Sequence, residues 1–452
     1  MSDRQLISMF TDYFKNEPSH FIRVPGRVNL IGEHTDYNGF PVMPIAIPRY
    51  IQAVISPLDG NQVNISNTDH HHEPASFEAT IDMPHSPKGN WANYVKAAIQ
   101  ALSSGIRGNQ SGMNAMFGGA VPLSAGLSSS SALVVTSALA FLAVNGQKVE
   151  PISLAEKMAE GERYVGTQGG GMDQAICLLG KEGYAVKIDF FPLRATYVPF
   201  PADYSIIVAN SLVRAAKTEN ALMHYNRRPA ECRLAVAVIN TLYCHDKPIQ
   251  RLGDLPEVNG FTSILDNAEN FVNDTFSESS YTLTDLAGIT GESENMLAEK
   301  YLMTRSGQPM PVPSDGFLVR QRALHVFTEA GRVEKSRVAL TSGDVESFGA
   351  LMNASHESCD TLYGLSTPEL NALVGIMKDH GAYGARLTGA GFGGCAVALV
   401  HDDNLENILS GVKEHYYLGY IPKHRSDLGG FDNFDEVVFP VKPADGGFTE
   451  LL

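Results

Sequence analysis

The stretch Pro122-Leu-Ser-Ala-Gly-Leu-Ser-Ser-Ser-Ser-Ala132, followed by the apolar run LVVTSALAFLAV, carries the strongest structural signal in the sequence. Glycine lets a backbone come close to a ligand, and the serines that follow it open an apolar helix. The start of such a helix presents free N–H groups and the positive end of the helix dipole, which together bind phosphate. One serine would be enough to cap a buried helix. Four in a row therefore favour a phosphate site over a simple cap.

The loop differs from the familiar nucleotide-binding patterns. No GxxxxGK[ST] sequence occurs, because Gly180-Lys181 is followed by glutamate and lacks the earlier glycine, and the HRD and DFG motifs of protein kinases are absent from the sequence. A second glycine cluster, Leu387-Thr-Gly-Ala-Gly-Phe-Gly-Gly-Cys395, fits GxGxxG but precedes a predicted strand, whereas a dinucleotide fingerprint opens a helix. This cluster either approaches a ligand or forms a tight hairpin.

A third segment, Arg23-Val-Pro-Gly-Arg-Val-Asn-Leu-Ile-Gly-Glu-His-Thr-Asp-Tyr-Asn-Gly39, crowds polar side chains around the turns that flank a short apolar strand: Arg27, Glu33, His34 and Asp36. Carboxylates accept hydrogen bonds from adjacent sugar hydroxyls, and an imidazole donates or accepts, so this mixture suits a polyol ligand. Zinc is the competing interpretation. One histidine and two acids make a poor zinc ligand set, which favours the polyol.

The fourth segment, Gly161-Glu-Arg-Tyr-Val-Gly-Thr-Gln-Gly-Gly-Gly-Met-Asp-Gln174, places two acids on either side of a glycine-rich turn. Glu162 stands at the end of a predicted helix, and Asp173 follows the turn. One acid could hold a metal ion while the other orients a nucleophilic hydroxyl, which is the division of labour that phosphoryl transfer requires. The alternative is that both acids face solvent.

The composition is that of a globular protein with two or three domains. The chain has 452 residues and a formal net charge of −16, and an acidic surface disfavours general binding to nucleic acid or to an anionic membrane. The longest nearly apolar run, Ser131 to Val144, is shorter than the ~20 residues of a membrane span. The five cysteines are scattered without a CxxC pair, and the N-terminus does not resemble a signal peptide, so we expect a cytoplasmic protein.

The order of patterns along the chain predicts an α+β fold. Strands joined by turns are expected from Phe21 to Pro57, helices dominate from about Ala215 to Ala354, and a strand–loop–strand follows from Ala385 to Val400. A domain boundary is expected near residue 210. The tract Asp69-His-His-His-Glu73 is interpreted as a solvated hairpin tip and not a metal site, because adjacent residues of a strand point to opposite faces.

Taken together, the four segments resemble the signatures of the GHMP small-molecule kinases, and GRVNLIGEHTDYNG at Gly26–Gly39 resembles the galactokinase branch. The similarity runs from Phe21 to Val400. The GGGMDQ spelling and Ala230-Glu-Cys-Arg-Leu-Ala235 are similar to the eukaryotic branch that contains plant galactokinases and N-acetylgalactosamine kinases. The resemblance implies a two-domain GHMP kinase fold, with a mixed-sheet N-terminal domain (1–210), an α/β C-terminal domain (211–452) and the active site between them.

The resemblance also implies roles for single residues. Arg27 and Asp173 match the catalytic centre, where the aspartate accepts or orients the proton of the anomeric hydroxyl and the arginine stabilises charge on the transferring phosphoryl group. Both would also contact the sugar. The remaining matches to galactose-binding positions are Glu33, His34, Asp36 and Tyr225.

The implied nucleotide site uses the first glycine/serine stretch. The matched ATP-binding residues are Gly126, Leu127, Ser128, Ser129, Ser130 and Lys217, whereas Ser130 and Glu162 match positions that hold Mg²⁺. Gly389–Gly394 corresponds to a third motif that shapes the site. Trp91 matches the adenine pocket, and core packing is an equally good interpretation of this single tryptophan.

The activity implied is that of an ATP-dependent sugar 1-kinase that makes α-D-galactose 1-phosphate and acts as a cytoplasmic monomer. N-Acetylgalactosamine is the alternative sugar, and a non-catalytic galactokinase-like sugar sensor is the alternative function. Tyr225 favours galactose, because it resembles the tyrosine of galactokinases. The Asn-Lys pair of N-acetylgalactosamine kinases is replaced by Ala216-Lys217, so only the lysine is retained.

Overall fold

The computed structural model describes residues 2–105, 110–119, 121, 126–166, 170–213, 219–303, 309–428 and 433–452, with the backbone alone for 219–224. The strands are β1 (His20–Asn29), β2 (Pro44–Leu58), β3 (Gln62–Asn67), β4 (Ala75–Glu78), β5 (Gly112–Gly119), β6 (Tyr184–Asp189), β7 (Arg194–Pro199), β8 (Tyr204–Asn210), β9 (Gly384–Thr388), β10 (Cys395–His401), β11 (Val438–Val441) and β12 (Phe448–Leu451).

The α-helices are α1 (Asp3–Phe14), α2 (Ala92–Ser103), α3 (Ser129–Val144), α4 (Pro151–Gly161), α5 (Met172–Leu179), α6 (Glu219–Tyr243), α7 (Ala268–Thr275), α8 (Leu283–Thr290), α9 (Glu294–Tyr301), α10 (Val319–Ser342), α11 (Val345–Ser358), α12 (Pro368–Asp379), α13 (Leu405–Gly411) and α14 (Ile421–His424). Two segments have π-helical hydrogen bonding, Cys359–Tyr363 and Val412–Tyr420. No helix in the described ranges is both long enough and apolar enough to cross a membrane.

The first sheet is mixed, as the sequence predicted. Its strand order is β12-β1-β2-β5-β3-β4, with β3 parallel to β5 and the other neighbours antiparallel. Successive side chains of a strand point to opposite faces. Ile22 and Val24 of β1 therefore pack against α2 and α3, whereas Phe21 packs on the other face against Leu6 and Phe10 of α1. The apolar run after the serines is buried as α3 in this first layer.

The second sheet is antiparallel with the order β11-β8-β10-β9. One face packs against a large helical layer to which α6, α10 and α12 contribute, which confirms the α+β class. On the other face, Ile206 and Val208 pack with Val28 and Ile45 of the first sheet, so one apolar cluster joins the two halves. Strand β8 lies in the second sheet although it precedes residue 210, and β12 returns to the first sheet. The division of the chain at residue 210 stays a prediction.

Most predicted elements lie within a few residues of their expected places. The helix expected from Asn90 to Leu102 is α2, and the final strand–loop–strand is β9 and β10. The histidine tract lies between the antiparallel strands β3 and β4. The side chain of His71 there is 93 % exposed, which confirms the solvated hairpin tip.

Candidate active site

Arg27 is held at the point where β1 meets the glycine/serine loop. A register shift between Pro25 and Gly26 marks a β-bulge, a device that re-aims the side chains beyond it. A Cβ atom on Gly26 would lie 2.9 Å from the carbonyl oxygen of Leu127, so glycine permits the loop to come this close. The Arg27 N–H donates to the same oxygen at 3.1 Å, and its Nη1 donates to the carbonyl oxygen of Gly126.

The two predicted catalytic residues form an ion pair. Nε and Nη2 of Arg27 each lie 2.8 Å from Oδ1 of Asp173. The arginine is 4 % exposed, and Asp173 lies in the first turn of α5, where the helix dipole favours a carboxylate. Charge-assisted hydrogen bonds from both nitrogens converge on one oxygen, and within the described residues no hydrogen bond is seen to the second carboxylate oxygen, which can therefore accept one from a ligand.

Glu33 is buried and is fixed from the other end of the chain. Its Oε1 accepts from the backbone N–H of Gly389 at 2.8 Å and from Nη1 of Arg386 at 3.3 Å. Burial raises the pKa of Glu33, and the opposing charges of Arg386 and Arg27 lower it. The glycine-rich cluster joins the antiparallel strands β9 and β10, so it forms a hairpin, and it also contacts Glu33 of the Arg23–Gly39 segment. Its approach to a ligand stays a prediction.

His34 lies next to Glu33 in the left-handed backbone region, with φ of +60°. Its Nδ1 is 2.8 Å from the hydroxyl of Tyr37, and its Nε2 is 3.4 Å from the carbonyl oxygen of Ala390. Burial lowers the pKa of His34 to about 3, so the ring is neutral at physiological pH. The ring of Tyr225 packs against it at 5.6 Å between centroids.

Asp36 begins a short 3₁₀ turn, Asp36–Asn38, and faces the same space. Its Oδ2 accepts from the backbone N–H of Gly170 at 3.0 Å. Burial, together with the neighbouring carboxylates of Asp173 and Glu33, raises the pKa of Asp36 to about 6. Three carboxylates thus share one small space, and at least one of them titrates near neutrality.

The serine stretch forms the start of α3, as predicted. Gly126 and Ser128 have φ of +74° and +61°, which turns the chain sharply into the helix. The hydroxyl oxygen of Ser128 is buried and has no hydrogen-bond partner within the described parts of the chain. A buried hydroxyl without a partner costs free energy unless a ligand satisfies it. This helix start therefore fits an anionic group that accepts hydrogen bonds.

Glu162 follows the last residue of α4, as predicted, and is buried close to the serine stretch. The hydroxyl of Ser131 donates to its Oε2 at 2.9 Å, and the side-chain amide of Gln174 donates to the same oxygen. The hydrogen bond from a serine to Glu162 that the described residues show thus comes from Ser131, one residue beyond Ser130. Ser130 instead lies where two cavities meet.

The first of these cavities measures about 140 Å³ and gathers the predicted sugar, catalytic and metal residues, namely Arg27, Glu33, His34, Asp36, Ser130, Glu162, Asp173 and Tyr225. The second measures about 370 Å³, and Trp91, Tyr94, Ser129 and Ser130 are among its lining residues. Trp91 is also largely buried, and its Nε1 donates to the carbonyl oxygen of Glu73 at 2.8 Å. Trp91 therefore packs in the core and also lines the second cavity.

The sequence assigned no role to several residues that hold the site together: Tyr37, Gln174, Tyr363 and Arg386. Tyr37 and Gln174 lie inside the polar segments described above, but nothing in their spacing showed which side chains they contact. The sequence holds one indication of Arg386, which is the only charged residue in the otherwise apolar strand before the glycine cluster. The predicted ATP ligand Lys217 lies outside the described residues.

Comparison with protein families matches three regions of the chain. Residues 8–57 match the galactokinase galactose-binding signature, residues 93–181 match the GHMP kinase N-terminal domain, and residues 336–418 match the GHMP kinase C-terminal domain. Fold and site therefore define a GHMP kinase, with both halves of that fold in the expected order.

Similarity to individual proteins over nearly the whole chain shows which branch of the GHMP kinases this chain belongs to. A galactokinase of Dictyostelium discoideum is 34 % identical over 443 residues, which cover 90 % of this chain and 86 % of that protein. A galactokinase of Candida parapsilosis is 34 % identical, with coverage of 98 % and 92 %. The crystal structure of Lactococcus lactis galactokinase complexed with galactose superposes with a TM-score of 0.76 at 25 % identity, covering 98 % and 99 % of the two chains. The chain belongs to the galactokinase family.

Proposed function

We propose that this chain transfers the γ-phosphoryl group of ATP to the anomeric hydroxyl of galactose and so makes α-D-galactose 1-phosphate. The observation that carries the proposal is the Arg27–Asp173 ion pair, which borders a cavity lined by the sugar-signature residues and open toward the start of α3 at Ser130. A phosphate site and a polyol site that share one catalytic pair are what a sugar kinase needs.

The sugar is held by groups of complementary hydrogen-bonding character. Glu33 and Asp36 accept from sugar hydroxyls, and neutral His34 donates or accepts. Tyr225 packs beside His34 and adds a phenolic hydroxyl. Because Glu33 is fixed by Gly389 and Arg386, its position does not depend on the ligand, and a rigid acceptor of this kind favours a defined sugar orientation.

In the chemical step, the anomeric oxygen forms a bond to the γ-phosphorus while the bond from that phosphorus to the bridging oxygen breaks, and ADP leaves. The hydroxyl proton passes to the carboxylate of Asp173 or is oriented by it. Arg27 lies against Asp173 and against the loop, where its guanidinium balances charge on the transferring group. Phosphoryl transfer depends mostly on such placement and electrostatics.

ATP would occupy the larger cavity, with its phosphates at the start of α3. The N–H groups and dipole of this helix, together with the unsatisfied hydroxyl of Ser128, suit the phosphate oxygens. The backbone at Gly126, Leu127 and Ser129 would come close to the phosphates. Lys217 is proposed to contribute a positive charge to the same nucleotide site. Trp91 and Tyr94 provide an apolar wall for adenine.

The donor set also fits Mg²⁺, the proposed metal ion of the reaction. Glu162 supplies a buried carboxylate, and the hydroxyls of Ser130 and Ser131 lie nearby, which are the oxygen ligands that Mg²⁺ prefers. When bound, Mg²⁺ neutralises charge on the phosphates and so eases the transfer. Gln174 keeps the Glu162 carboxylate in place.

Steady-state kinetics test the activity and the sugar together. Purified protein is mixed with Mg-ATP and with galactose, N-acetylgalactosamine or glucose, and ADP release is coupled to NADH oxidation. We expect the highest kcat/KM with galactose. A higher value with N-acetylgalactosamine would change the substrate but keep the kinase. Galactose binding by calorimetry without ADP release would indicate a sugar sensor instead.

We further propose that the protein works as a cytoplasmic monomer. Size-exclusion chromatography with light scattering should give a mass near the 48.9 kDa of one chain. A stable dimer at micromolar concentration would contradict this part of the proposal.

A further inference from the structure

A row of hydrogen-bonding side chains leads from the interior of the C-terminal half to the sugar site. The sulfur of Cys232 lies 3.2 Å from the hydroxyl of Tyr363, and this hydroxyl lies 2.9 Å from that of Tyr37. Tyr37 in turn lies 2.8 Å from Nδ1 of His34. The other ring nitrogen, Nε2, faces the carbonyl oxygen of Ala390 at 3.4 Å.

The chemistry of these side chains indicates which group donates and which accepts in each hydrogen bond. A carbonyl oxygen only accepts, so the contact with Ala390 favours a proton on Nε2 of His34, but at 3.4 Å this contact is long and leaves the N–H able to donate to a ligand. The ring is neutral, because burial lowers the pKa of His34 to about 3, and a neutral imidazole carries a single proton. With the proton on Nε2, Nδ1 accepts, and Tyr37 donates its hydroxyl proton over the shorter distance of 2.8 Å. The oxygen of Tyr37 is left to accept from Tyr363.

We propose that Tyr37 is a positioning residue that fixes His34 in the Nε2–H tautomer, so that the ring presents a hydrogen-bond donor to the sugar. In the absence of Tyr37, Nδ1 could carry the proton, and Nε2 would then offer an acceptor. Among the carboxylates Glu33 and Asp36, which only accept when ionised, His34 would thus be the donor. The ligand part of this proposal rests on the proposed function, whereas the tautomer itself does not.

Further contacts hold Tyr37 and Tyr363, the two tyrosines of the row, in place. The side-chain amide of Asn38 donates to the carbonyl oxygen of His34 at 2.9 Å, which holds the turn that carries Tyr37. Tyr363 closes the π-helical segment Cys359–Tyr363, and its ring also stacks near His325 at 4.4 Å. Tyr363 is fully buried, so its hydroxyl has no access to solvent. The row is therefore fixed by two separate elements from the two halves of the chain.

Nitrogen NMR of protein labelled with ¹⁵N-histidine tests the tautomer directly, without sugar or nucleotide. The chain has 14 histidines, and His34→Gln identifies the signals that belong to His34. We expect a protonated Nε2 and an unprotonated Nδ1 in the wild type. In Tyr37→Phe we expect the two tautomers to mix. An Nδ1–H tautomer in the wild type, or an unchanged tautomer in Tyr37→Phe, would overturn the proposal.

Kinetics test the consequence for the sugar. Tyr37→Phe should raise the KM for galactose about tenfold, the order of one lost hydrogen bond, with KM for ATP unchanged and kcat within about twofold. In the His34→Gln background the same substitution should have no further effect on KM, because Tyr37 acts through His34. Additive effects of the two substitutions would contradict this mechanism.

Tyr281→Phe is the matched control. Tyr281 is buried among the helices of the C-terminal half, and its hydroxyl accepts from the N–H of Glu278 at 3.0 Å. It should lose some stability and keep the wild-type KM and tautomer. If Tyr37→Phe behaves in the same way, the role of Tyr37 is structural and the proposal fails. If the wild type releases no ADP with galactose, the proposed function fails, and the NMR result still decides the tautomer.

Discussion

The backbone N–H of Gly389 donates to Glu33 at 2.8 Å, although the two residues are 356 positions apart in the sequence. The same glycine lies against the loop that precedes α3, since a Cβ atom at this position would be 2.8 Å from the carbonyl oxygen of Gly126. One residue of the third motif therefore contacts both the sugar signature and the serine loop. This residue therefore helps to join the three motifs into a single site.

Gly389→Ala should reduce both stability and turnover. With φ of +84°, any side chain here is strained by about 1 kcal/mol, and the clash with Gly126 adds about 1–3 kcal/mol. Gly291→Ala is the control, because Gly291 also has a positive φ, +73°, but has open space around it. Urea unfolding should show the larger loss for Gly389→Ala, and kcat should fall in that variant alone. Equal losses would mean that the contact with Gly126 is unimportant.

Asp173→Asn should lower kcat by two orders of magnitude or more while the protein remains folded. The amide keeps the shape of the side chain, but it accepts the hydroxyl proton poorly and weakens the pair with Arg27. Asp285→Asn serves as the control, because Asp285 also lies in the first turn of an eight-residue helix and is not among the residues that line the site cavity. Near-normal turnover in Asp173→Asn, measured by ADP release, would remove Asp173 from its catalytic role.

Asp36 should make galactose binding depend on pH. Its pKa of about 6 means that acidification through pH 6 protonates the carboxylate, which then accepts less well, so KM for galactose should rise. In Asp36→Asn, KM should be raised at every pH and should lack this titration.

Asp36 should affect folding stability in the opposite direction from galactose binding: acidification weakens binding but stabilises the fold. Because its folded pKa is raised above the unfolded value of 3.8, the protonated carboxyl group contributes stability that is fully present below about pH 4 and is lost as the pH rises through 6. Above pH 6, Asp36→Asn should therefore have a higher Tm than the wild type, and near pH 4 the two should agree. An equal Tm at pH 7.5 would contradict the raised pKa.

Glu162→Gln should weaken the response to Mg²⁺. Because Glu162 is the buried carboxylate beside Ser131, its loss should raise the Mg²⁺ concentration for half-maximal rate at least tenfold. Glu160→Gln, two residues earlier and with an exposed side chain, is the matched control and should behave like the wild type. Calorimetric galactose binding without nucleotide should be the same in all three proteins. A wild-type Mg²⁺ response in Glu162→Gln would exclude this ligand.

The sequence predicted the parts of the molecule that depend on local pattern. The serine run before an apolar stretch predicted a helix, which opens at Ser129 and is buried, and the runs between turn signals from Phe21 to Pro57 predicted strands, where β1 and β2 lie. The sugar, catalytic and metal candidates were matched through the family resemblance, and the structure gathers them around one cavity. Their roles stay predictions.

The supporting contacts could not be predicted, because they join distant parts of the chain. Neither the bond from Gly389 to Glu33 nor the row from Tyr363 to His34 has a local sequence pattern. Similarly, β8 pairs with β10 and β12 pairs with β1, and both pairings cross the boundary expected near residue 210. A strand's partner depends on the whole topology, which local pattern does not show. Which serine contacts Glu162 depends on the rotation of α3, which periodicity does not determine.

Arg386→Met should destabilise the protein by leaving Glu33 buried without its cation. Arg386 is fully buried, and its Nη1 contacts both Glu33 and the carbonyl oxygen of Asn29, at 3.3 and 3.1 Å. Breaking a buried ion pair by removing one partner costs about 3–5 kcal/mol, so urea unfolding at pH 7 should show a loss of this order. Replacing both partners, in Arg386→Met with Glu33→Gln, should recover part of it, because no charge is then left buried.

The pH dependence of the Arg386→Met variant separates charge from packing. Burial already raises the pKa of Glu33, and losing Arg386 should raise it further. A raised folded pKa gives stability at low pH that disappears as the pH rises, so the deficit relative to the wild type should shrink between pH 7 and pH 5. A deficit that is the same at both pH values, and the same with Glu33→Gln present, would show that Arg386 stabilises this region by packing and its bond to Asn29 instead of by holding Glu33.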